Sequence, residues 1–261
     1  MMTPLPSLTW AVSSDPGLKR TSNEDSYSTR PDVGLFVVAD GMGGHVAGEV
    51  ASRVAVEAIE AFIEETAGAD KNRTWPFPFD PTVSLESNRL RAAFRLANRK
   101  IGAAIADSQD LRGMATTASA VLVGPRGASV AHVGDSRVYV LRQSQLDQIT
   151  HDHSWVEEQV RAGTLSPTAA RQHPWRNVVT RALSGGDDPE VDVAEVSPKP
   201  GERYLLCSDG LFTVVPDSRI AELLSQTDVP LDAICRGLVQ AANEAGGPDN
   251  ITTLILQIDG P

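Results

Sequence analysis

The chain contains only two cysteines, Cys207 and Cys235, with neither a paired nor a Cys-x-x-Cys spacing. Zinc-thiolate and dithiol redox chemistry are therefore weak readings, and the chain fits a reducing compartment. Cys207 lies inside an apolar run and reads as a small core residue. Positive charge is scarce as well: 23 Lys and Arg stand against 34 Asp and Glu, for a net charge of −11. No basic stripe exists to displace counterions from a phosphodiester backbone, so nucleic acid is not an expected partner. No apolar run approaches the roughly 18 residues of a membrane span. The start, MMTPLPSLTW, lacks the basic and apolar regions of a signal peptide. A cytoplasmic protein is expected.

What is present can bury one substantial core. With 261 residues and 41% hydrophobic composition, the chain reads as a single domain over 1–261, without internal repeats. Its organising stretch is Val33–Val50, VGLFVVADGMGGHVAGEV. Val33 to Ala39 reads as a buried strand that stops at Asp40, and Gly41-Met42-Gly43-Gly44-His45 leads from it into a helical pattern. Asp-Gly followed by Gly-Gly is ordinary turn chemistry. A phosphate-cradling loop is a second reading, but such loops carry Lys and Ser/Thr after their glycines, and this one has neither. A divalent cation is the third, because it takes carboxylate and carbonyl oxygens and reverses the repulsion Asp40 would exert on a phosphate.

Leu8–Val12 is a candidate first strand, followed by a polar loop, SDPGLKRTSNEDSY, that carries Arg20, Glu24 and Asp25. Ala47, Val50, Ala51, Val54, Ala55, Ala58, Ile59, Phe62 and Ile63 predict an amphipathic helix over 47–65. In the loop 66–83, Trp75, Phe77 and Phe79 alternate with prolines; the rings are expected to cover the flanking helices, an exposed docking patch being the alternative. A second helix is expected over 84–107. The period then falls to two, and 118–123, 128–133 and 136–141 read as a meander. Residues 151–185 form an irregular excursion of the kind that acts as a lid, with short helices over 154–162 and 167–172 and a strand near 177–182. Strands at 190–196 and 202–207 follow. Then come a helix near 216–225 with Pro216 at its first position, a helix over 230–244 and a strand over 251–258.

Five aspartates stand out. Asp40, Asp135 and Asp209 each end an apolar run before Gly or Ser, Asp249 opens the final strand, and Asp25 lies in the first polar loop. Each alone is most simply a turn or cap residue. As a set they resist that reading, because buried carboxylates are unfavourable unless paired or metal-bound, and no matching set of Lys and Arg accompanies them. Hard oxygen ligands without Cys or clustered His select Mg²⁺ or Mn²⁺ over Zn²⁺. Without a nucleotide-cradling loop, the pattern suggests metal-assisted hydrolysis, in which two cations acidify a shared water and hold an in-line displacement at phosphorus. Arg20 offers a planar, permanently charged fork for the phosphate. His151-Asp152-His153 has a metal-pair spacing, but it stands at the start of the excursion.

Arg20-Thr-Ser-Asn-Glu24-Asp25, Asp40-Gly-Met-Gly-Gly, Met114-Ala-Thr-Thr117, Gly134-Asp135-Ser-Arg137, Ser208-Asp209-Gly210 and Gly247-Pro-Asp249-Asn250 occur in this order. With them the chain resembles the metal-dependent protein serine/threonine phosphatases of the type 2C (PPM) class, in particular their bacterial branch. The resemblance runs from about residue 9 to 258, and 151–185 looks like the bacterial flap. It implies an α+β fold, a four-layer α-β-β-α sandwich of two antiparallel sheets with helices outside. It implies hydrolysis of phosphoserine and phosphothreonine on proteins by a metal-bridging water at a binuclear Mn²⁺ or Mg²⁺ centre, without a covalent phosphoenzyme. Asp40 would bridge the two metals, Gly41 would add its carbonyl, and Asp209 and Asp249 would hold the first metal. Glu24 and Asp25 would act around the second, largely through water, and Asp135 with Asp209 would hold a third. Thr117 and Asn250 would support these ligands, and Arg20 would bind phosphate. The implied partners are phosphorylated proteins, among them a serine/threonine kinase and its substrates.

Two departures from the family pattern matter. Met42 stands where many eukaryotic members carry a His proposed as general acid, which leaves the acid unassigned, with metal-bound water as the default and His45 as a weak candidate. Ala115 replaces a usual Gly and adds a methyl to a tight spot, with a slight shift of Thr116 and Thr117 expected. Two rival readings accompany the main one: a phosphatase of the same superfamily acting on an anti-sigma-antagonist-type regulator, and a non-catalytic binding module. Retention of every expected metal aspartate speaks against the module.

Overall fold

Leu35, Val37 and Ala39 belong to one core and Phe36 and Val38 to another, and this alternation along a single strand sets the architecture. The computed structural model describes residues 5–43, 46–68 and 74–260. In chain order its elements are β1 Ser7–Asp15, β2 Asp25–Arg30, β3 Leu35–Met42, α1 Val46–Glu65, α2 Leu85–Asp107, β4 Ala115–Thr116, β5 Ala118–Gly124, β6 Gly127–Val133, β7 Arg137–Arg142 and β8 Gln145–Gln148. They continue with α3 Trp155–Arg161, α4 Pro167–Arg171, β9 Asp192–Val196, β10 Arg203–Cys207, α5 Asp209–Phe212, α6 Asp217–Leu224, α7 Leu231–Glu244 and β11 Ile251–Gly260.

One sheet runs β1-β11-β10-β7-β8 and the other β2-β3-β5-β6-β9, with β4 paired to the end of β3. Neighbouring strands within both sheets are antiparallel. Phe36, Val38, Val121, Val138, Val140, Tyr204, Leu206, Leu254 and Leu256 fill the space between the sheets. The opposite face of the β3 sheet packs Leu35, Val37, Leu122 and Ala131 against Ile59, Ile63, Leu90, Phe94 and Ile101 of α1 and α2. The opposite face of the β10 sheet packs Tyr139, Leu205 and Ile255 against Leu211, Ile220 and Leu238 of α5–α7. A strand buried on both faces reads as an unbroken apolar run, which is why β3 is so visible in the sequence. Four layers result.

The aromatic loop covers helices, as expected. Trp75 lies 6.5 Å from Phe62, and Phe77 is buried beneath the Arg99 guanidinium, 4.2 Å from its ring centre. Cys207 and Cys235 are both buried and unpaired.

Four expectations need correction. Asp25 opens a strand rather than lying in a loop. β2 escapes pattern reading because it is an edge strand whose side chains serve α1 through polar bonds: Ser26 to Ser52, Ser28 and Arg30 to Glu60. Asp40 is not the end of its strand, since β3 runs on to Met42 by pairing with β4. Residues 177–182 make no strand; Thr116–Leu183 is a single bridge that ties the excursion to the body, and Ser154–Val179 is a single bridge within it. Pro216 caps α6 in an extended conformation instead of occupying its first turn.

Candidate active site

The β2–β3 register places Asp25 opposite Asp40. Asp135 stands on the turn between β6 and β7, Asp209 opens α5, and Asp249 precedes β11. Asp40, Asp135, Asp209 and Asp249 converge on a cleft of about 260 Å³ lined also by Arg20, Glu24, Gly41, Met42, Thr117 and Asn250, with Asn177 and Val179 contributed by the excursion. Several backbone bonds hold the base. The Asp40 carbonyl accepts from Thr117 N (2.9 Å) and Thr116 Oγ1 (2.8 Å), and Asp40 N donates to Thr117 Oγ1 (3.2 Å). A Cβ at Gly41 would run into the carbonyls of Gly48 and Glu24, so glycine here lets α1 approach β3.

Asp25 carries the most informative geometry. Its Oδ2 accepts from Ser208 Oγ (2.8 Å) and Thr252 Oγ1 (2.6 Å). Its Oδ1 is buried with no hydrogen-bond partner. A buried polar atom left bare beside one fully held demands an explanation, and a cation supplies it. The electrostatics agree. Burial, with Asp209 and Asp249 nearby, pushes Asp25 up to about 7 against the hydrogen bonds from Thr252 and Ser208. Burial and Asp209 push Asp135 up to about 8, and burial and Asp249 push Asp209 up to about 6. Burial first, then Asp25, Asp209, Asp135 and Asp249, holds Asp40 well above the ordinary carboxylate range. Carboxylates that raise one another in this way, on an all-oxygen donor set, fit hard divalent cations.

Arg20 reaches the cleft mouth and donates from Nη2 to Asp249 Oδ2 at 2.7 Å, with about half its side chain exposed. Asn250 fastens the loop that carries it. Asn250 Oδ1 accepts from Glu24 N (2.8 Å), while Nδ2 donates to the carbonyls of Pro16 (2.9 Å) and Ser22 (2.8 Å).

Residues 19–253 match the protein phosphatase 2C family. The chain belongs to that family. The serine/threonine protein phosphatase PstP of Mycobacterium tuberculosis is 38% identical over 252 residues, covering 96% of this chain and 45% of that protein. This chain thus spans about half the length of that relative. The serine/threonine phosphatase stp of Listeria monocytogenes is 36% identical over 251 residues, 94% of each. A crystal structure of the PstP catalytic domain in complex with two manganese ions superposes with a TM-score of 0.81 at 36% identity, covering 97% of this chain and 98% of that one.

Within this type 2C cleft, Arg20, Glu24, Asp40, Gly41, Thr117, Asp135, Asp209, Asp249 and Asn250 all line one space; Asp25 is not in its lining but pairs with Asp40 on the neighbouring strand. His45 lies outside the described residues. Ala115 is half-buried opposite Met42 in the β3–β4 pair, and Thr116 keeps its bond to Asp40. His151-Asp152-His153 does not enter the cleft: His151 is exposed, Asp152 binds Arg137 through both oxygens, and His153 sits against Gly134. Sequence reading missed Ser208 and Thr252 as holders of Asp25. A threonine pair inside the apolar run ITTLIL was the available signal. It also missed Asn177 and Val179, for which no local pattern exists.

Proposed function

We propose that the chain is a protein serine/threonine phosphatase that hydrolyses phosphoserine and phosphothreonine at a pair of Mn²⁺ or Mg²⁺ ions. The residues that would hold the ions are Asp25, Asp40, Asp209, Asp249 and the Gly41 carbonyl, with Asp135 toward a third and Glu24 acting nearby. The observation that carries the reading is the bare, buried Oδ1 of Asp25, a residue paired with Asp40 across the strands beside a cleft of mutually repelling carboxylates. Type 2C membership and the names of the relatives support it. When bound, the cations supply a nucleophile at neutral pH and a positive field for the phosphoryl group.

The chain's own residues bind and orient. Arg20 stands at the mouth with donors to spare beyond its bond to Asp249, so a phosphate dianion can be gripped there. Asn250 fixes the loop from which Arg20 projects. Met42 cannot move a proton, and with Val179 it gives the cleft an apolar wall. One phosphatase domain over 1–261, with a flap at 151–185, forms part of the same reading. So do a serine/threonine kinase and its substrates as partners and a cytoplasmic location. No helix among the described residues is long and apolar enough to cross a membrane. The test is phosphopeptide hydrolysis with added Mn²⁺ and with excess chelator. Turnover is expected only with the metal, and full turnover in chelator overturns the proposal.

A further inference from the structure

His132, His153 and Asp192 each bring a ligand atom within 4.8 Å of the others, the spacing of a metal site. Their hydrogen bonds exclude one. His153 Nδ1 accepts from Gly134 N (3.1 Å), so the ring proton sits on Nε2, which faces Asp192 Oδ2 at 3.2 Å. His132 Nε2 faces the carbonyl of His151 at 2.9 Å and so carries its own proton. A cation at His153 Nε2 would require that ring to give up its one N–H proton while Nδ1 still accepts from Gly134, leaving an imidazolate. The cluster is a fixed packing unit, with His153 bonded to Asp192 and His132 stacked on it.

We infer that His153 is a positioning residue for Asp135, acting through Gly134. Both backbone groups of Gly134 are taken by this one residue: the ring accepts from its N–H, and His153 N donates to its carbonyl at 3.0 Å. Gly134 has φ +104, and a Cβ there would strike the side chain of Thr117. The glycine is thus pinned between Thr117 and His153, and the next residue is Asp135. A carboxylate on a turn is aimed by the backbone it stands on. The ring is itself fixed, with 2% exposure, stacked 4.6 Å from His132 and bonded to Asp192, which Arg181 holds at 3.3 Å. Arg181 and Thr180, whose N–H donates to the His153 carbonyl, close the far end of the 151–185 excursion onto the same point. Outer partners that orient a ligand in this way tune metal affinity without touching the metal.

The inference rests on the reading of Asp135 as a cation ligand. The test compares the full chain with His153→Asn, His153→Gln and Asp135→Ala. Asn places an acceptor near the Nδ1 position, whereas Gln reaches toward the Nε2 position and abandons Gly134. Mn²⁺ binding is measured by calorimetry and Gly134 amide exchange by NMR. Gln is expected to speed exchange at Gly134 and weaken the weakest Mn²⁺ site about tenfold or more, with the phosphopeptide KM unchanged and turnover restored by excess Mn²⁺. Asn is expected to stay near the parent in both readouts. Gln matching the parent, or Asn failing as badly as Gln, sinks the role of His153 alone. Asp135→Ala titrating like the parent sinks the reading of Asp135, and this inference with it.

Discussion

Asp25 and Asp40 stand directly opposite one another across the β2–β3 pair. Like charges in that relation destabilise a sheet, and among the described residues no ion pair reaches either carboxylate. The pair is therefore a place where the fold is weaker than it could be, and its behaviour with pH and metal should reveal why.

The first prediction follows from the sign of these shifts. In the metal-free protein burial and the neighbouring carboxylates push Asp209, Asp25 and Asp135 up to about 6, 7 and 8, above the 3.8 of an ordinary aspartate. Between those limits the folded state holds more protons than the unfolded one, so stability falls as pH rises. Metal-free Tm should drop from pH 5.5 to pH 8.5, and saturating Mn²⁺ should flatten that slope. Calorimetric melts in chelator and in Mn²⁺ check it; a rising Tm in chelator contradicts the account.

Asp40→Asn removes the carboxylate most burdened by its neighbours. Two effects with opposite signs are expected. Mn²⁺ binding and phosphopeptide turnover fall to background. Metal-free Tm at pH 8 stays level or rises, because a neutral amide relieves Asp25 and Asp209. A variant that loses stability and activity together would mark Asp40 as structural.

Arg20→Ala tests substrate grip. The guanidinium is half-exposed and bonded to Asp249, so it has little packing to lose. A charge-assisted bond to phosphate contributes about 1.5–3 kcal/mol, which is about tenfold or more in binding. KM should rise by that factor while kcat changes little, as expected for a contact made equally in ground and transition states. A collapse of kcat at unchanged KM would instead assign Arg20 to the transition state. Because Asp249 loses its partner as well, the Mn²⁺ dependence of the variant should be measured in parallel.

The sequence made legible what is buried on both faces and what recurs as a motif. β3, β5, β6 and β10 announce themselves as apolar runs because each feeds two cores. The motif aspartates were found because a strand or turn residue at a glycine is conspicuous. β2 was not legible, since its buried partners are the hydroxyls and carboxylates of α1. Ser208 and Thr252 were not legible as holders of Asp25, because they meet it only through pairing distant in sequence. Asn177 and Val179 reach the cleft from a segment held by the Thr116–Leu183 bridge and by side-chain and backbone bonds to residues distant in sequence, which no local periodicity encodes.

Asn250→Ala separates the loop from the ligands. Asn250 is 4% exposed, and its amide binds three backbone groups: Glu24 N, Pro16 O and Ser22 O. Alanine removes all three bonds, a loss on the order of 3 kcal/mol and a fall in Tm of roughly 10 °C. The neighbouring Asp249 keeps its carboxylate, so Mn²⁺ binding should weaken less than in Asp40→Asn. The loop from Pro16 to Glu24 carries Arg20, so KM should rise as it does in Arg20→Ala. The double variant Arg20→Ala/Asn250→Ala should then show a KM little above either single variant, since both remove the same grip on phosphate. Fully additive effects on KM would show that Asn250 acts on the substrate by a route that does not pass through Arg20.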